Sequence, residues 1–172
     1  MPRVEPLLPV RIERGGIQYA PGVRAGRWVF ATGLLATDFK HGLAQAVFNP
    51  RYPHGSRPKA QREADFIFER LGRILAAGGT ALGNVVRLDQ YYPSWKAVDP
   101  YHRARREAFG AYVPPSTSIL ERELLLPDAF MDVQAVAIIP EGRFRVHSLA
   151  PKNVDAPPES GYAPVVTAGD YV

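Results

Sequence analysis

The stretch that decides the fold runs from residue 19 to residue 33 and reads Tyr-Ala-Pro-Gly-Val-Arg-Ala-Gly-Arg-Trp-Val-Phe-Ala-Thr-Gly. Its second half, 27–33, is rich in aromatic and β-branched residues and ends in glycine, which is typical of a strand. The preceding segment, 17–25, predicts an antiparallel partner strand, with Ala25-Gly26 at the turn. The sequence therefore predicts a β-hairpin in the first part of the chain.

Two helices are predicted further along the chain. The first takes Ser56 as its N-cap, carries apolar residues at helical spacing from Ala64 to Leu75, and stops at the glycine pair 78–79. The second begins at Asp99-Pro100 and ends at the proline pair 114–115. Each helix shows an apolar stripe on one side, so both are expected to pack on a sheet.

More strands surround these helices. They are predicted at 85–92, 117–120 and 131–139, with another at 144–149 and a short one near 44–48 inside a loop of residues 38–57. Helices that alternate with strands predict a mixed sheet with both helices on one face, joined by right-handed crossovers. The other face would then need a cover, which we expect a partner subunit to supply.

Composition excludes several classes of protein. With 172 residues, 46% hydrophobic and 22% charged, the chain is expected to form a packed domain rather than a disordered one. It has no cysteine, which excludes disulfides, zinc–thiolate sites and thiol nucleophiles. The four histidines lie far apart in the sequence, so no metal site is expected. No apolar run is long enough to span a membrane and the N-terminus lacks a signal-peptide pattern, so a cytoplasmic protein is expected.

The net charge of +4 does not by itself indicate a nucleic-acid partner, because the basic residues are spread along the chain. The densest group is Arg103, Arg105 and Arg106 on the second predicted helix. It is interpreted as a solvated helix face, with an RNA-binding surface as the alternative.

The end of the chain repeats its beginning. Residues 162–172, Tyr-Ala-Pro-Val-Val-Thr-Ala-Gly-Asp-Tyr-Val, match residues 19–29 at seven of eleven positions. A proline-rich stretch at 151–161 precedes this repeat. The pattern predicts one domain over 1–150, a linker over 151–161, and the start of a second copy of the domain over 162–172.

Residues 19–33 resemble the opening of the reactive intermediate deaminase family (Rid or YjgF, also called endoribonuclease L-PSP-like). Further motifs follow in the family's order at 75–80, 84–88, 99–101, 116–117, 126–127 and 131–137. The resemblance covers residues 17–140 and identifies a divergent member. It implies a chorismate-mutase-like α/β fold, in which a mixed sheet carries two helices on one face. It also implies a homotrimeric barrel with clefts for small molecules between subunits.

The activity that the resemblance implies is hydrolysis of reactive enamines and imines to a carbonyl compound and ammonia. No metal or organic cofactor is implied. By the family pattern, Tyr19 and Gln134 occupy catalytic positions, and the substrate-binding positions fall on Thr32, Asp99, Ser116 and Thr117.

Two family residues are replaced in this chain. The arginine that grips a substrate carboxylate falls on Pro115, or on Ser118 in a second register, and the family glutamate falls on Gln134. Arg122, in a lengthened segment, is the candidate replacement cation.

Three functions follow as alternatives. The first is a hydrolase of imines or enamines with a diverged site. The second is a non-catalytic ligand-binding or structural half of a tandem protein, which the replacements at Pro115 and Gln134 favour. The third is RNA binding or endoribonuclease activity, which predicts an affinity that falls steeply with salt. A small-molecule ligand and a homotrimer are the expected partners, with no membrane, and nucleic acid is the less favoured partner.

Overall fold

The protein is built around a six-stranded sheet. The computed structural model describes residues 3–12, 15–48, 56–153 and 163–172. The helices are α1 (Gln45–Phe48), α2 (Lys59–Ala77) and α3 (Val98–Phe109). The strands are β1 (Val4–Leu7), β2 (Val10–Ile12), β3 (Ile17–Tyr19), β4 (Gly22–Ala25), β5 (Trp28–Leu34), β6 (Val85–Tyr92), β7 (Ser116–Leu120), β8 (Asp132–Ile138), β9 (Val146–Leu149) and β10 (Val165–Ala168).

The main sheet is mixed, as predicted. Its strand order is β1-β4-β5-β8-β6-β7, with β6 and β7 parallel and the other neighbours antiparallel. Two smaller antiparallel pairs, β2–β3 and β9–β10, lie outside it. The strands β1 and β2 were not predicted from the sequence.

The predicted hairpin is confirmed as β4 and β5, which pair from Ala25–Trp28 to Gly22–Ala31. Gly26 has φ +61° at the turn, a conformation that glycine adopts without steric cost. The predicted first strand is split in two at Pro21, which has no backbone N–H to donate to a sheet. As a result β3 pairs with β2 rather than with β5.

The helix boundaries differ from the prediction at three points. Helix α2 begins after Pro58 with no side-chain cap, so the prediction of Ser56 as N-cap is wrong. Helix α3 begins at Val98, which places Asp99 in its first turn, and it ends before Gly110, where φ is +64°. Residues 45–48 form the short helix α1 instead of the predicted strand, while 49–55 lie outside the described residues.

The hydrophobic core lies between the two long helices and one face of the sheet. Along β8, Val133, Ala135 and Ala137 are buried in this core, whereas Gln134 and Val136 alternate with them and face the opposite side. The opposite side, here called the open face, carries none of the described helices.

The hairpin β9–β10 lies against part of the open face. Strand β10 contacts β6, and Tyr171 stacks edge-to-face on Trp28 with 5.3 Å between ring centroids. Strand β9 confirms the predicted strand near 144–149. Of the predicted linker and second copy, residues 154–162 lie outside the described part of the chain.

Among the described residues, no helix has the length and apolar character needed to cross a membrane.

Candidate functional site

A row of polar side chains crosses the open face on four neighbouring strands. Asp89 of β6 is level with Gln134 of β8 on one side and with Thr117 of β7 on the other. Ala31 of β5 pairs with Ala135 and Leu34 pairs with Val133, so a register shift between them places Thr32 and Gly33 together opposite Gln134. The polar row therefore reads Thr32, Gln134, Asp89, Thr117, and it contains three of the residues predicted from the sequence.

A tyrosine joins the β5 end of the polar row. The Tyr19 hydroxyl lies 3.0 Å from Thr32 Oγ1 and donates to the Gly33 carbonyl at 3.3 Å. Tyr19 and Thr32 are thirteen residues apart in the sequence. The pairing of β4 with β5, and a hydrogen bond from the Thr32 N–H to the Pro21 carbonyl, bring them together. Four of the seven predicted site residues are thus gathered in one array on the open face.

An arginine and a carboxylate lie at the centre of the array, and neither was predicted. Arg87 Nε lies 2.8 Å from Asp89 Oδ2, and the Arg87 side chain is 63% exposed. The two terminal nitrogens of Arg87 have no hydrogen-bond partner within the described residues. An ion pair of this kind orients the guanidinium and leaves its outer edge able to bind a carboxylate in bidentate fashion.

Arg87 lies beside Pro115, the position where the family pattern has an arginine. Leu88 donates from its backbone N–H to the Pro115 carbonyl at 3.0 Å and is level with Ser116, so Arg87 lies beside Pro115. A β-bulge between Val85 and Arg87 shifts the register of β6 at this point. The neighbouring strand therefore supplies a cation next to the position where the family resemblance leads one to expect an arginine.

A cavity of about 560 Å³ lies between the open face and the β9–β10 hairpin. On the sheet side it is lined by Trp28, Arg87 and Thr117, and on the hairpin side by Val166 and Tyr171. This volume suits a small organic molecule, and apolar walls with one cation favour a ligand that carries a carboxylate.

A second carboxylate lies near Tyr19. Asp132 precedes Gln134 on the same face of β8, and its Oδ1 is buried without a hydrogen-bond partner among the described residues. Burial raises the pKa of the Asp132 carboxyl above its ordinary value. A Cβ at Gly33 would lie 2.7 Å from Asp132 Oδ2, so the carboxylate of Asp132 packs directly against this glycine. A carboxyl group of this kind can hold a proton near the Tyr19 end of the polar row.

Ser116 lines the same cavity as Arg87, but its hydroxyl is turned toward the helices and away from the polar row. Its hydroxyl accepts a hydrogen bond from Arg105 Nη1 at 2.8 Å. Arg105 is 1% exposed, so the interpretation of residues 103–106 as a fully solvated helix face is wrong at this residue. Tyr101 donates to the buried Gln90 in the same layer, at 3.1 Å.

The structure places the other two predicted residues away from the array. Asp99 is exposed on α3 and forms an ion pair with Arg103 at 2.7 Å. Arg122 follows β7 and lines a different cavity of about 610 Å³, together with Lys59 and Phe130. Within the described ranges, no group of three or more acidic or histidine side chains could hold a metal ion.

Strand alternation was the signal that could have found Arg87 and Asp89. In β6 the residues Leu88, Gln90 and Tyr92 are buried on the helix side. Asp89, between them, and Arg87, just before Leu88, must therefore face the other side. Arg87 lies inside the family motif at 84–88 and Asp89 just after it, but the family pattern assigns neither of them a role in the site.

Known proteins share this fold. The family model described as endoribonuclease L-PSP matches residues 15–139. No curated protein matches the sequence. Among solved structures, a protein of unknown function from Pseudomonas aeruginosa is 21% identical, with a TM-score of 0.64 over 81% of this chain and 94% of that one.

Two further structures are similar at lower identity. Yeast Mmf1 is 16% identical, with a TM-score of 0.61 over 79% of this chain and 98% of its own. RidA from an Antarctic Psychrobacter species is 18% identical, with a TM-score of 0.56 over 70% of this chain and 88% of its own. At these identities the structures establish the shared fold alone.

Proposed function

The chain belongs to the endoribonuclease L-PSP family, and on this basis we propose that it hydrolyses imines or enamines of small carboxylate-bearing molecules to carbonyl compounds and ammonia. The observation that carries this proposal is Arg87, which Asp89 holds at the wall of a cavity of about 560 Å³. A bidentate arginine is the side chain best suited to grip a carboxylate.

The residues around Arg87 have separate roles in this reaction. Water attacks the imine carbon while Asp89 accepts a proton from it, and Thr117 and Gln134 on the flanking strands orient the water. Gln134 can hydrogen-bond but cannot carry the proton at neutral pH, so that task falls to a carboxylate. Protonated Asp89 returns this proton to the imine nitrogen and gives the carbinolamine. The hydroxyl proton of the carbinolamine then passes to its amine nitrogen, the carbon–nitrogen bond breaks, and ammonia leaves as the carbonyl forms.

Tyr19 acts as a positioning residue at the other end of the array. Its hydroxyl holds Thr32 beside Gln134, and its own orientation is fixed by the Gly33 carbonyl. A homotrimer belongs to the same proposal. Phe30 on the open face remains 39% exposed beside the hairpin, and a neighbouring subunit would cover it. The cytoplasmic location stays a prediction from the sequence.

A coupled assay tests the proposed activity. An amino-acid oxidase or a serine/threonine dehydratase generates the imine, and semicarbazide competes with the protein for it. The native chain should accelerate hydrolysis, and Arg87→Ala should lower kcat/KM about ten- to a hundredfold, since a charged hydrogen bond contributes roughly 1.5–3 kcal/mol.

Arg73→Ala is the matched control, because Arg73 on α2 is 62% exposed and pairs with Glu69 away from the cavity. Equal rates for the two variants would show that Arg87 does not bind the substrate. No acceleration by the native chain would overturn the proposed activity itself.

A non-catalytic binding protein is the second candidate. It is favoured by the position of Asp89, which pairs with Arg87 and is not among the described residues that line the cavity. Calorimetric titration with the stable keto-acid product separates the two candidates. Binding that is lost in Arg87→Ala, together with no hydrolysis, would establish the binding protein.

A further inference from the structure

The two ends of the described chain contain strand pairs with the same pairing. We call β1–β4 the first hairpin, although β2 and β3 lie between its strands, and β9–β10 the second hairpin. Strand β1 pairs with β4 and strand β9 with β10, both antiparallel and four residues long. The pairs run from Val4–Ala25 to Leu7–Gly22 in the first hairpin and from Val146–Ala168 to Leu149–Val165 in the second. Strand β10 lies at the positions of β4 in the sequence repeat, so repeat and structure coincide.

Strand β9 also resembles its counterpart β1 in sequence, although it lies upstream of the repeat at 162–172. Residues 145–151, Arg-Val-His-Ser-Leu-Ala-Pro, match residues 3–9, Arg-Val-Glu-Pro-Leu-Leu-Pro, at four of seven positions. Both strands of the second hairpin therefore have a counterpart in the first, and the repeated unit begins at Arg145.

The turns after β4 and β10 are alike as well. Gly26 and Gly169 have φ of +61° and +62°. Ala25 pairs with Trp28 beyond one turn, and Ala168 forms a bridge with Tyr171 beyond the other. An aromatic residue thus opens the next strand at the same position in both segments.

The hairpins differ in what covers them. Leu7 is 4% exposed and Val29 is fully buried, whereas their counterparts Leu149 and Val172 are 45% and 96% exposed. Leu7 and Val29 pack at the end of α2, where a Cβ on Gly78 would lie 3.0 Å and 2.8 Å from them. Within the described residues, no helix packs on Leu149 or Val172 in this way.

We propose that residues 145–172 are the first hairpin of a second copy of this domain, and that the β5-like strand and α2-like helix of that copy dock on Leu149 and Val172. The cavity beside Arg87 is then a cleft between two copies of the fold. This inference rests on register and exposure, and it is independent of the proposed activity.

Val165 limits the shape of the partner helix. It stands where Gly22 stands in the first hairpin, and a Cβ on Gly22 would lie 2.5 Å from Ile74 Cγ2. A helix that docks on the second hairpin therefore needs a smaller side chain at the position of Ile74.

A fusion protein tests the proposal. Residues 30–141 of this chain, carrying Ile74→Ala, are joined directly after Val172 of the full chain. The appended Phe30 then follows Val172 as Phe30 follows Val29 within β5. Leu149→Cys introduces a single thiol, since the chain has no cysteine. We expect maleimide to label this thiol at least about tenfold more slowly in the fusion than in the 172-residue chain.

Two controls make this result specific. One glycine inserted after Val172 turns the side chains of the appended strand to the opposite faces, and it should restore fast labelling. Leu120→Cys, which starts from 47% exposure, should label equally in every version. Equal labelling of the Leu149→Cys thiol in the two fusions would overturn the proposal.

A second measurement covers a fusion that fails to fold. In the 172-residue chain, cysteines replacing Val146 and Ala168 should form a disulfide on oxidation, because directly paired residues lie within bonding range. Cysteines replacing Val146 and Val166 should not. The reverse outcome would show that the second hairpin does not copy the first and would also overturn the proposal.

Discussion

The two faces of the main sheet use polar side chains in opposite ways. On the helix side, the Arg105–Ser116 and Tyr101–Gln90 hydrogen bonds are enclosed in a packed layer. On the open face, Asp89 pairs with Arg87, and Arg87 lines a cavity. Buried polar groups must find partners within the protein, whereas groups beside a cavity can exchange theirs for a ligand. The helix side is therefore expected to determine stability, and the open face activity.

The largest expected effect is a loss of stability after a substitution on the helix side of the sheet. Leu71→Ala removes a fully buried side chain from α2 and should lower the free energy of unfolding by about 2–5 kcal/mol. Urea denaturation measures this loss, while kcat/KM of the remaining folded protein should stay close to the native value. A stable Leu71→Ala variant with impaired catalysis would break the division between the faces.

Asp89→Asn should have the converse effect on the open face. It removes the proposed proton acceptor but keeps the size of the side chain, so kcat should fall on the order of a hundredfold. The free energy of unfolding should change by less than about 0.5 kcal/mol, as expected for a partly exposed pair. Single-turnover imine hydrolysis measures the first quantity and urea denaturation the second. Unchanged kcat would remove Asp89 from the mechanism.

Tyr101→Phe tests the hydrogen bonds of the helix side with a smaller change. The variant leaves the buried Gln90 Oε1 without its donor at 3.1 Å, which should cost about 1–3 kcal/mol. Thr117→Val on the open face removes a hydroxyl too, and it should affect imine hydrolysis more than stability. Loss of activity in Tyr101→Phe at full stability would contradict this contrast.

The smallest expected effect is a pH dependence of the free energy of unfolding, caused by Asp132. Burial raises the pKa of Asp132, so the native state holds this proton more tightly than the unfolded chain does. Stability from this group is therefore present at low pH and declines as pH rises from the unfolded pKa through the native pKa. The Asp132→Asn variant should not show this loss of stability. Its free energy of unfolding should therefore rise relative to that of the native chain as pH increases between the two pKa values of Asp132.

Denaturation curves measured from acidic to neutral pH check this prediction, with the exposed Asp170→Asn as the control. A difference between Asp132→Asn and the native chain that does not change with pH would show that the carboxyl does not titrate differently on folding.

Several parts of this fold followed from local sequence patterns. The β-branched and aromatic residues at 85–92 predicted β6 with its observed ends, and the glycine pair at 78–79 predicted the end of α2. Both depend on neighbouring residues and on backbone conformations that single residues favour. Local patterns failed at residues 45–48, because a short apolar segment fits a strand or a helix turn and its surroundings decide between them.

The candidate site was predicted only in part, for a related reason. The family pattern identified Tyr19, Thr32, Gln134 and Thr117, but it could not show that they join one array with Asp89. Arg122 was the candidate replacement cation because it lies in the lengthened segment and could reach the site from another direction. The structure offers Arg87 instead, since parallel pairing of β6 with β7 sets it beside Pro115.

The sequence by itself determined the order of the two long helices and of strands β4 to β8, the family, and the repeat between residues 19–29 and 162–172. These are encoded in short stretches of chain, where residue preferences and motifs act locally. Only the tertiary structure decided which side chains face the cavity and that Arg105 is buried. It also showed that the repeat at 162–172 extends upstream to a paired hairpin. Those facts depend on strand register and packing, which arise from contacts between residues far apart in the chain.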